Sequence, residues 1–131
     1  MTMSKILLFF AAIFAVCLLL PLPSDAAEGS AGRPALLELM TLSCPACREM
    51  GKVLAEFEAK HGGAIEVRII DVREDANAAR LYQVRYVPTL VFLDEEGKVL
   101  ETKVGYIPLE ALEKEWYKLG YSLDRGELPP R

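Results

Sequence analysis

The pattern of apolar residues changes its period at residues 44–47, and this change limits the folds that the chain can adopt. Residues 34–40 form a nearly continuous apolar run, which is typical of a strand buried on both faces. The apolar residues that follow have the i, i+3, i+4 and i+7 spacing of one helix face. They are Met50, Val53, Leu54 and Phe57. A buried strand therefore leads directly into an amphipathic helix, which Gly62 and Gly63 are expected to end.

The rest of the chain alternates between the two periods. The predicted elements are a strand at 64–72, a helix at 74–82, a strand at 90–93, a turn at 94–97, a strand at 98–104 and a helix whose first turn contains Pro108. Because helices separate the first three strands, we expect these strands to be parallel through right-handed crossovers. The last two strands form a hairpin, so the last strand is an antiparallel edge. The order β-α-β-α-β-β-α predicts one α/β domain, a central mixed sheet flanked by helices on both faces.

The first 26 residues have the form of an export signal. Lys5 supplies a positive charge, residues 6–20 are apolar and uncharged, and two prolines and small residues precede Ala27. The apolar run is shorter than the roughly 20 residues that span a bilayer, which favours cleavage over an uncleaved membrane anchor. We therefore expect an exported protein, periplasmic or otherwise extracytoplasmic. Its predicted parts are a signal peptide at 1–26, a flexible lead-in at 27–33, a folded domain at 34–122 and a loose tail at 123–131.

The composition of the chain limits the classes of partner that it is expected to bind and the roles that its cysteines can have. A net charge of −4 over 131 residues gives no basic face, so we expect no nucleic-acid partner, and we expect a monomer. Cys17 lies in the signal, which leaves Cys44 and Cys47 in the mature chain. A crosslink between residues so close in sequence removes little entropy from the unfolded chain. The pair is therefore predicted to serve redox or metal chemistry.

The motif Cys44-Pro45-Ala46-Cys47 lies where a strand ends and a helix begins. The unpaired N–H groups and the dipole of a helix N-terminus stabilise negative charge, which favours the thiolate of Cys44 and makes it the candidate nucleophile. Cys47 lies about one turn further and is placed to resolve a mixed disulfide formed on Cys44. Pro45 suits the first turn because its missing N–H would have no partner there.

Metal binding is the alternative use of the pair. A structural zinc site needs about four ligands, whereas the single histidine of the chain, His61, lies roughly 20 Å away at the other end of the helix. We expect His61 to be a surface residue at the helix C-terminus, and we expect no metal and no cofactor. Copper(I) accepts thiolates at low coordination, so a copper(I) binding or delivery module remains the alternative function. Met40 and Met50 lie near the pair in sequence, but both fit core positions.

Residues 36–120 resemble the thioredoxin family. The resemblance is carried by the cysteine motif, by YQVRYVPTL at 82–90, by DEEGK at 94–98 and by KVGY at 103–106. It implies a thioredoxin-like fold and disulfide exchange with protein substrates. It also implies that Pro88 is cis and faces the cysteines, and that the backbone near Val87 pairs with an extended substrate segment. Pro45 and Ala46 are expected to contribute to the same substrate site.

Glu38 interrupts the apolar strand six residues before Cys44. One interpretation is an outward-facing position on a half-exposed strand. The resemblance instead implies a buried acid beneath the second cysteine, with a raised pKa that lets it take the proton from Cys47. Apolar neighbours on both sides favour the buried interpretation and a proton-relay role.

Two departures from thioredoxins bear on the direction of electron flow. Ser43 replaces the usual tryptophan, and Pro45-Ala46 replaces the usual Gly-Pro pair. Strongly oxidising periplasmic relatives carry a histidine between the cysteines and an inserted helical domain, and this sequence has neither. We therefore predict an exported thiol–disulfide oxidoreductase that acts as a reductant or electron relay. Its predicted partners are protein disulfides and a membrane or soluble electron donor.

Overall fold

A computed structural model describes residues 32–124 of the chain. Its elements are β1 (Ala35–Met40), α1 (Pro45–His61), β2 (Glu66–Asp71), α2 (Ala76–Leu81), β3 (Thr89–Leu93), β4 (Val99–Val104) and α3 (Leu109–Lys118). The predicted signal peptide, Cys17 and most of the predicted tail lie outside the described residues. Within 32–124, no helix combines the length and the apolar character that crossing a membrane requires.

The four strands form one mixed sheet in the order β2-β1-β3-β4. β1 is parallel to β2, whereas β3 is antiparallel to both β1 and β4. The predicted mixed sheet is confirmed, but the prediction that β3 is parallel was wrong. α2 has six residues and rises about 9 Å, less than half the length of a strand of about 20 Å, and it does not form the crossover that a parallel β3 would need. β3 therefore starts at the end where β1 stops, with Thr89 opposite Leu39.

Helices cover both faces of the sheet, as predicted. All six residues of β1 are buried, because the strand is central and alternate side chains enter two separate clusters. Leu36 packs beneath α1 and α3, and Leu37 packs towards α2. The larger cluster contains the fully buried Phe92 and Trp116, whose ring centroids lie 5.1 Å apart. Trp116 is therefore a core residue, and it belongs to the face that also lies beneath the cysteine motif.

Local hydrogen bonds determine where the helices begin and end. The side chain of Asp75 accepts from the Ala78 N–H at 2.9 Å, so α2 begins at Ala76 rather than at the predicted Glu74. The Gly62 N–H donates to the Glu58 carbonyl at 2.8 Å and ends α1 where the sequence predicted. Pro108 was predicted to lie in the first turn of the last helix, but it is the N-cap of α3, one position earlier.

The C-terminal end of α1 differs from the sequence prediction. His61 is half-buried, with Nε2 2.9 Å from Glu113 Oε1, Nδ1 3.2 Å from the Leu123 carbonyl oxygen and its ring 5.0 Å from that of Phe57. The expectation of a surface histidine was wrong, because α3 and the segment after it pack over this end of α1. Leu123 is 2% exposed and belongs to the core, so packing extends beyond the predicted boundary at 122.

Candidate active site

Cys44 is the N-cap residue of α1 and is half-exposed. Its Sγ accepts a hydrogen bond from the Cys47 N–H at 3.2 Å, and its own N–H donates to the Thr41 carbonyl at 3.1 Å. The first-turn N–H groups of a helix have no intrahelical partner, so one of them is satisfied here by sulfur. A backbone donor therefore points at the atom that carries the charge when this thiol ionises.

Cys47 lies one turn further along α1 and is 1% exposed. Burial, followed by the hydrogen bond with Cys44, raises the pKa of Cys47 to about 11, although a hydrogen bond with the Thr41 backbone works in the opposite direction. Both cysteines are free thiols. The pair therefore combines an accessible sulfur with a buried one that resists ionisation.

Glu38 is fully buried on the face of β1 that lies beneath α1. Burial raises its pKa from 4.5 to about 7, and neither of its carboxyl oxygens has a hydrogen-bond partner within residues 32–124. Its charge is also one of the causes of the raised pKa of Cys47, so the two groups lie within electrostatic range. The buried interpretation is the one that the structure shows. A carboxyl with a pKa of about 7 can exchange a proton at neutral pH.

The turn before β3 lies against Cys44. The Val87–Pro88 peptide bond is cis, and Cys44 Sγ lies 3.9 Å from the Val87 carbonyl oxygen. The Pro88 carbonyl accepts from the Gly105 N–H at 2.8 Å, and Thr89 Oγ1 donates to the Tyr86 carbonyl at 2.6 Å. Hydrogen bonds thus hold the turn from both sides. Its backbone groups form the second wall of the site, although Val87 lies 43 residues from Cys44 in the sequence.

Four side chains around this site are open to solvent. Pro45 and Ala46 are exposed, as are two large apolar residues, Leu42 at 67% and Tyr86 at 71%. Leu42 precedes the motif and Tyr86 precedes the Val87-Pro88 turn. Apolar surface that remains exposed beside a reactive group is available to a partner segment. The roles of Pro45, Ala46, Val87 and Pro88 in substrate binding stay predictions.

Sequence reasoning missed Arg73. Its Nη2 donates to Ser43 Oγ at 3.0 Å, immediately before Cys44, and Asp71 Oδ2 accepts from the Leu42 N–H at 3.4 Å. The sequence contained a signal for this contact. β1 and β2 are parallel and the carboxyl ends of parallel strands meet at one edge of a sheet, so the residues after Asp71 lie beside the residues after Met40. In the sequence, Ser43 is notable only because it stands in place of the usual tryptophan.

The described part of the chain contains no group of three or more His, Cys, Asp or Glu side chains that could hold a metal ion. Met50 is fully buried, and its sulfur accepts a hydrogen bond from the Ile107 N–H at 3.4 Å. The copper(I) hypothesis therefore gains no third sulfur ligand from Met50, and no observation favours it.

Comparisons with known proteins agree with this geometry. Residues 26–119 match a family model described as a thioredoxin-like domain. The thioredoxin of Bacillus subtilis is 38% identical over 71 residues, which cover 54% of this chain and 67% of that protein. A thiol:disulfide interchange protein of Synechocystis, a TxlA homolog, is 31% identical over 85 residues, covering 63% of this chain and 47% of the relative. The chain thus spans about half the length of the second relative.

Solved structures show the same fold. The germline-specific thioredoxin Deadhead of Drosophila melanogaster superposes with a TM-score of 0.62 at 26% identity, covering 69% of this chain and 84% of that one. A thioredoxin of Malassezia sympodialis superposes with a TM-score of 0.60 at 22% identity, covering 68% and 78%. The sheet, the helices and the cysteine motif define a thioredoxin-fold thiol–disulfide oxidoreductase.

The chain belongs to the thioredoxin-like family. The resemblance inferred from its motifs is confirmed, and so is the predicted class of enzyme. Members of this family act on protein disulfides, which is the substrate class expected here.

Proposed function

We propose that the chain is an exported oxidoreductase that reduces protein disulfides, or relays electrons to them, through Cys44 and Cys47. The observation that supports this proposal most is the contrast between the two sulfurs. Cys44 is half-exposed beside an N–H donor, whereas Cys47 is buried with a pKa of about 11. The contrast supports attack on the substrate by Cys44 and resolution by Cys47.

The exchange proceeds in two balanced steps. The Cys44 thiolate attacks one sulfur of a substrate disulfide, and the other substrate sulfur leaves with the bonding electron pair and takes up a proton. Cys47 then gives its proton to Glu38 and attacks Cys44 Sγ, which releases the second substrate sulfur as a thiolate that is protonated in turn. The substrate gains two electrons and two protons, and the protein becomes the Cys44–Cys47 disulfide.

The pKa of Cys47 bears on the direction of electron flow. A thiol of high pKa is a strong nucleophile once ionised and a poor leaving group. Attack by Cys47 on a mixed disulfide is therefore favoured over the reverse reaction, in which Cys47 must be expelled from its disulfide with Cys44. This asymmetry favours the oxidised protein and the reduced substrate, which is the behaviour of a reductant.

Export is proposed from residues 1–26, whose charge, apolar run and small residues have the form of a signal peptide. In an oxidising compartment the protein would be oxidised after each turnover and would need a membrane or soluble donor to reduce it again. The domain is proposed to act as a monomer.

A redox titration tests the direction of electron flow. The purified protein is equilibrated with mixtures of reduced and oxidised glutathione, and with mixtures of reduced and oxidised dithiothreitol for the lowest potentials, and free thiols are trapped and counted at each ratio. We expect a potential below roughly −200 mV, nearer to the roughly −270 mV of thioredoxin than to the roughly −120 mV of a strong oxidant. A value close to −120 mV would contradict the proposal of a reductant.

Fusion to alkaline phosphatase tests export, because that reporter is active only where its disulfides form. The full chain fused at its C-terminus should give an active reporter and a processed protein that begins at Ala27. The matched control is Ile13→Arg, which interrupts the apolar run and should abolish reporter activity. An inactive wild-type fusion would contradict export, and an active but unprocessed fusion in the membrane fraction would replace cleavage with anchoring.

A further inference from the structure

The turn after β2 holds the loop that carries Cys44. Asp71 accepts hydrogen bonds from two backbone N–H groups, those of Leu42 at 3.4 Å and Arg73 at 2.9 Å. Arg73 Nη2 in turn donates to Ser43 Oγ at 3.0 Å. These contacts place a guanidinium one residue from the attacking cysteine and anchor it there.

This guanidinium retains most of its hydrogen-bonding capacity. Arginine has five N–H donors in a planar fork, and within residues 32–124 the Arg73 guanidinium donates to Ser43 and forms no ion pair. The carboxyl of Asp71 is already engaged by backbone donors on both oxygens. Arg73 is exposed, so its remaining donors face solvent beside the site. A carboxylate is the group that this fork binds through two parallel hydrogen bonds.

Two further arginines lie close in sequence to the elements that form the site. Arg48 follows Cys47 directly and Arg85 precedes Tyr86, and both are exposed and without an ion pair among the described residues. Of the nearby acids, Glu49 pairs with Lys52 at 2.8 Å, Asp71 and Asp75 accept from backbone N–H groups, and Glu74 is exposed. The chain as a whole carries −4. Of the three arginines, Arg73 is the one that a hydrogen bond places beside Cys44, where it can meet a negative group on a partner.

We infer that Arg73 is a specificity-determining residue that binds a carboxylate next to the reactive disulfide of the substrate. The substrate class is a peptide segment with Asp or Glu beside its cysteine. The inference rests on the proposed exchange at Cys44. Because Ser43 already orients the guanidinium, the carboxylate meets a donor whose side-chain entropy is partly lost before binding.

Three cyclic disulfide peptides test this inference. They are identical except for Glu, Gln or Lys directly before the first cysteine. The rate constant for oxidation of the reduced protein by each peptide is measured by acid quench and chromatography. Each value is divided by the rate of the same peptide with dithiothreitol, because neighbouring charge changes the intrinsic reactivity of a disulfide. Arg73→Gln is compared with Arg80→Gln, a matched loss of an exposed arginine on α2 that donates to Asn77 at 3.2 Å.

For the wild type we expect the normalised rate constant of the Glu peptide to be about three to five times that of the Lys peptide, the range of a partly exposed ion pair. This quotient is called the Glu-to-Lys ratio. The ratio should fall close to one in Arg73→Gln, persist in Arg80→Gln and shrink in 1 M salt. A disturbed loop would slow all three peptides equally, so the ratio separates recognition from a structural effect. A wild-type ratio near one, or a ratio unchanged in Arg73→Gln, overturns the inference. Failure of all three peptides to oxidise the wild type would instead overturn the proposed function.

Discussion

Replacing Glu38 with glutamine should make the protein more stable at pH 8 and little different near pH 4. Glu38 is fully buried, its oxygens have no partner among the described residues, and burial raises its pKa from 4.5 to about 7. An acid whose folded-state pKa is raised favours the folded state below its unfolded pKa. That contribution is lost as the pH rises through the folded-state value. The free energy of unfolding should therefore decrease between about pH 4.5 and pH 7.

The size of the effect follows from the two pKa values. One pKa unit corresponds to about 1.4 kcal/mol, so a rise from 4.5 to about 7 corresponds to about 3 kcal/mol at pH 8. Glutamine has nearly the same volume and cannot ionise, so it removes this penalty. The neutral carboxyl and the amide both lack partners in this pocket, so their remaining costs largely cancel.

The assay is urea unfolding at pH 4, 5.5, 7 and 8, followed through the fluorescence of the buried Trp116. It measures the difference in the free energy of unfolding between wild type and variant. Other carboxyl groups cancel in that difference, and Cys47, with a pKa of about 11, does not titrate in this range. Glu58→Gln, which removes an exposed carboxyl from α1, is the matched control and should show no such pH dependence. An equal difference at pH 4 and pH 8 would refute the argument that burial of a charge at Glu38 opposes folding.

Four further outcomes follow from the site and the core. Cys44→Ser should abolish insulin reduction and Cys47→Ser should accumulate a mixed disulfide; full activity in Cys44→Ser would contradict the assignment of the nucleophile. Iodoacetamide at pH 8 should modify Cys44 more than about ten times faster than Cys47, which is buried with a pKa of about 11, and peptide mapping that shows equal rates would contradict this. Glu38→Gln should slow resolution by Cys47 most near neutral pH, and an unchanged pH–rate profile would remove the proton relay. His61→Phe should lower the free energy of unfolding by about 1–3 kcal/mol, because it leaves the Leu123 carbonyl without its partner and removes the shorter of the two contacts to the Glu113 carboxylate; a loss no larger than that of the exposed control Lys52→Gln would count against this role.

The local parts of the fold could be predicted because the causes lie within short stretches of chain. The spacing of Met50, Leu54 and Phe57 predicted α1, and all three are buried in the structure. The apolar run at 34–40, interrupted by Glu38, predicted a strand buried on both faces, and all six residues of β1 are buried. Periodicity reports which face of an element is apolar, and that information is present in sequence alone.

The direction of β3 could not be obtained in this way. An apolar run has the same pattern whether the strand is parallel or antiparallel to its neighbour, so the prediction depended on the length of the helix before it. α2 proved to be shorter than its pattern suggested, because Asp75 caps it at Ala76. Even the predicted helix at 74–82 would rise only about 14 Å, so the error in the topology arose from treating a short helix as a crossover and not from the assignment of any strand.

The sequence by itself determined the fold class, the position of the cysteine motif at a helix entrance and the acid in the strand before it. These features depend on residue type and short-range spacing. Only the tertiary structure decided that Glu38 is buried without a partner, that His61 lies between Glu113 and Leu123, and that Arg73 contacts the residue before Cys44. Each of these contacts joins residues about 30 or more positions apart or depends on what packs over a side chain. Such proximity arises when the sheet and helices assemble, because burial and charge are properties of the surroundings of a residue rather than of its identity.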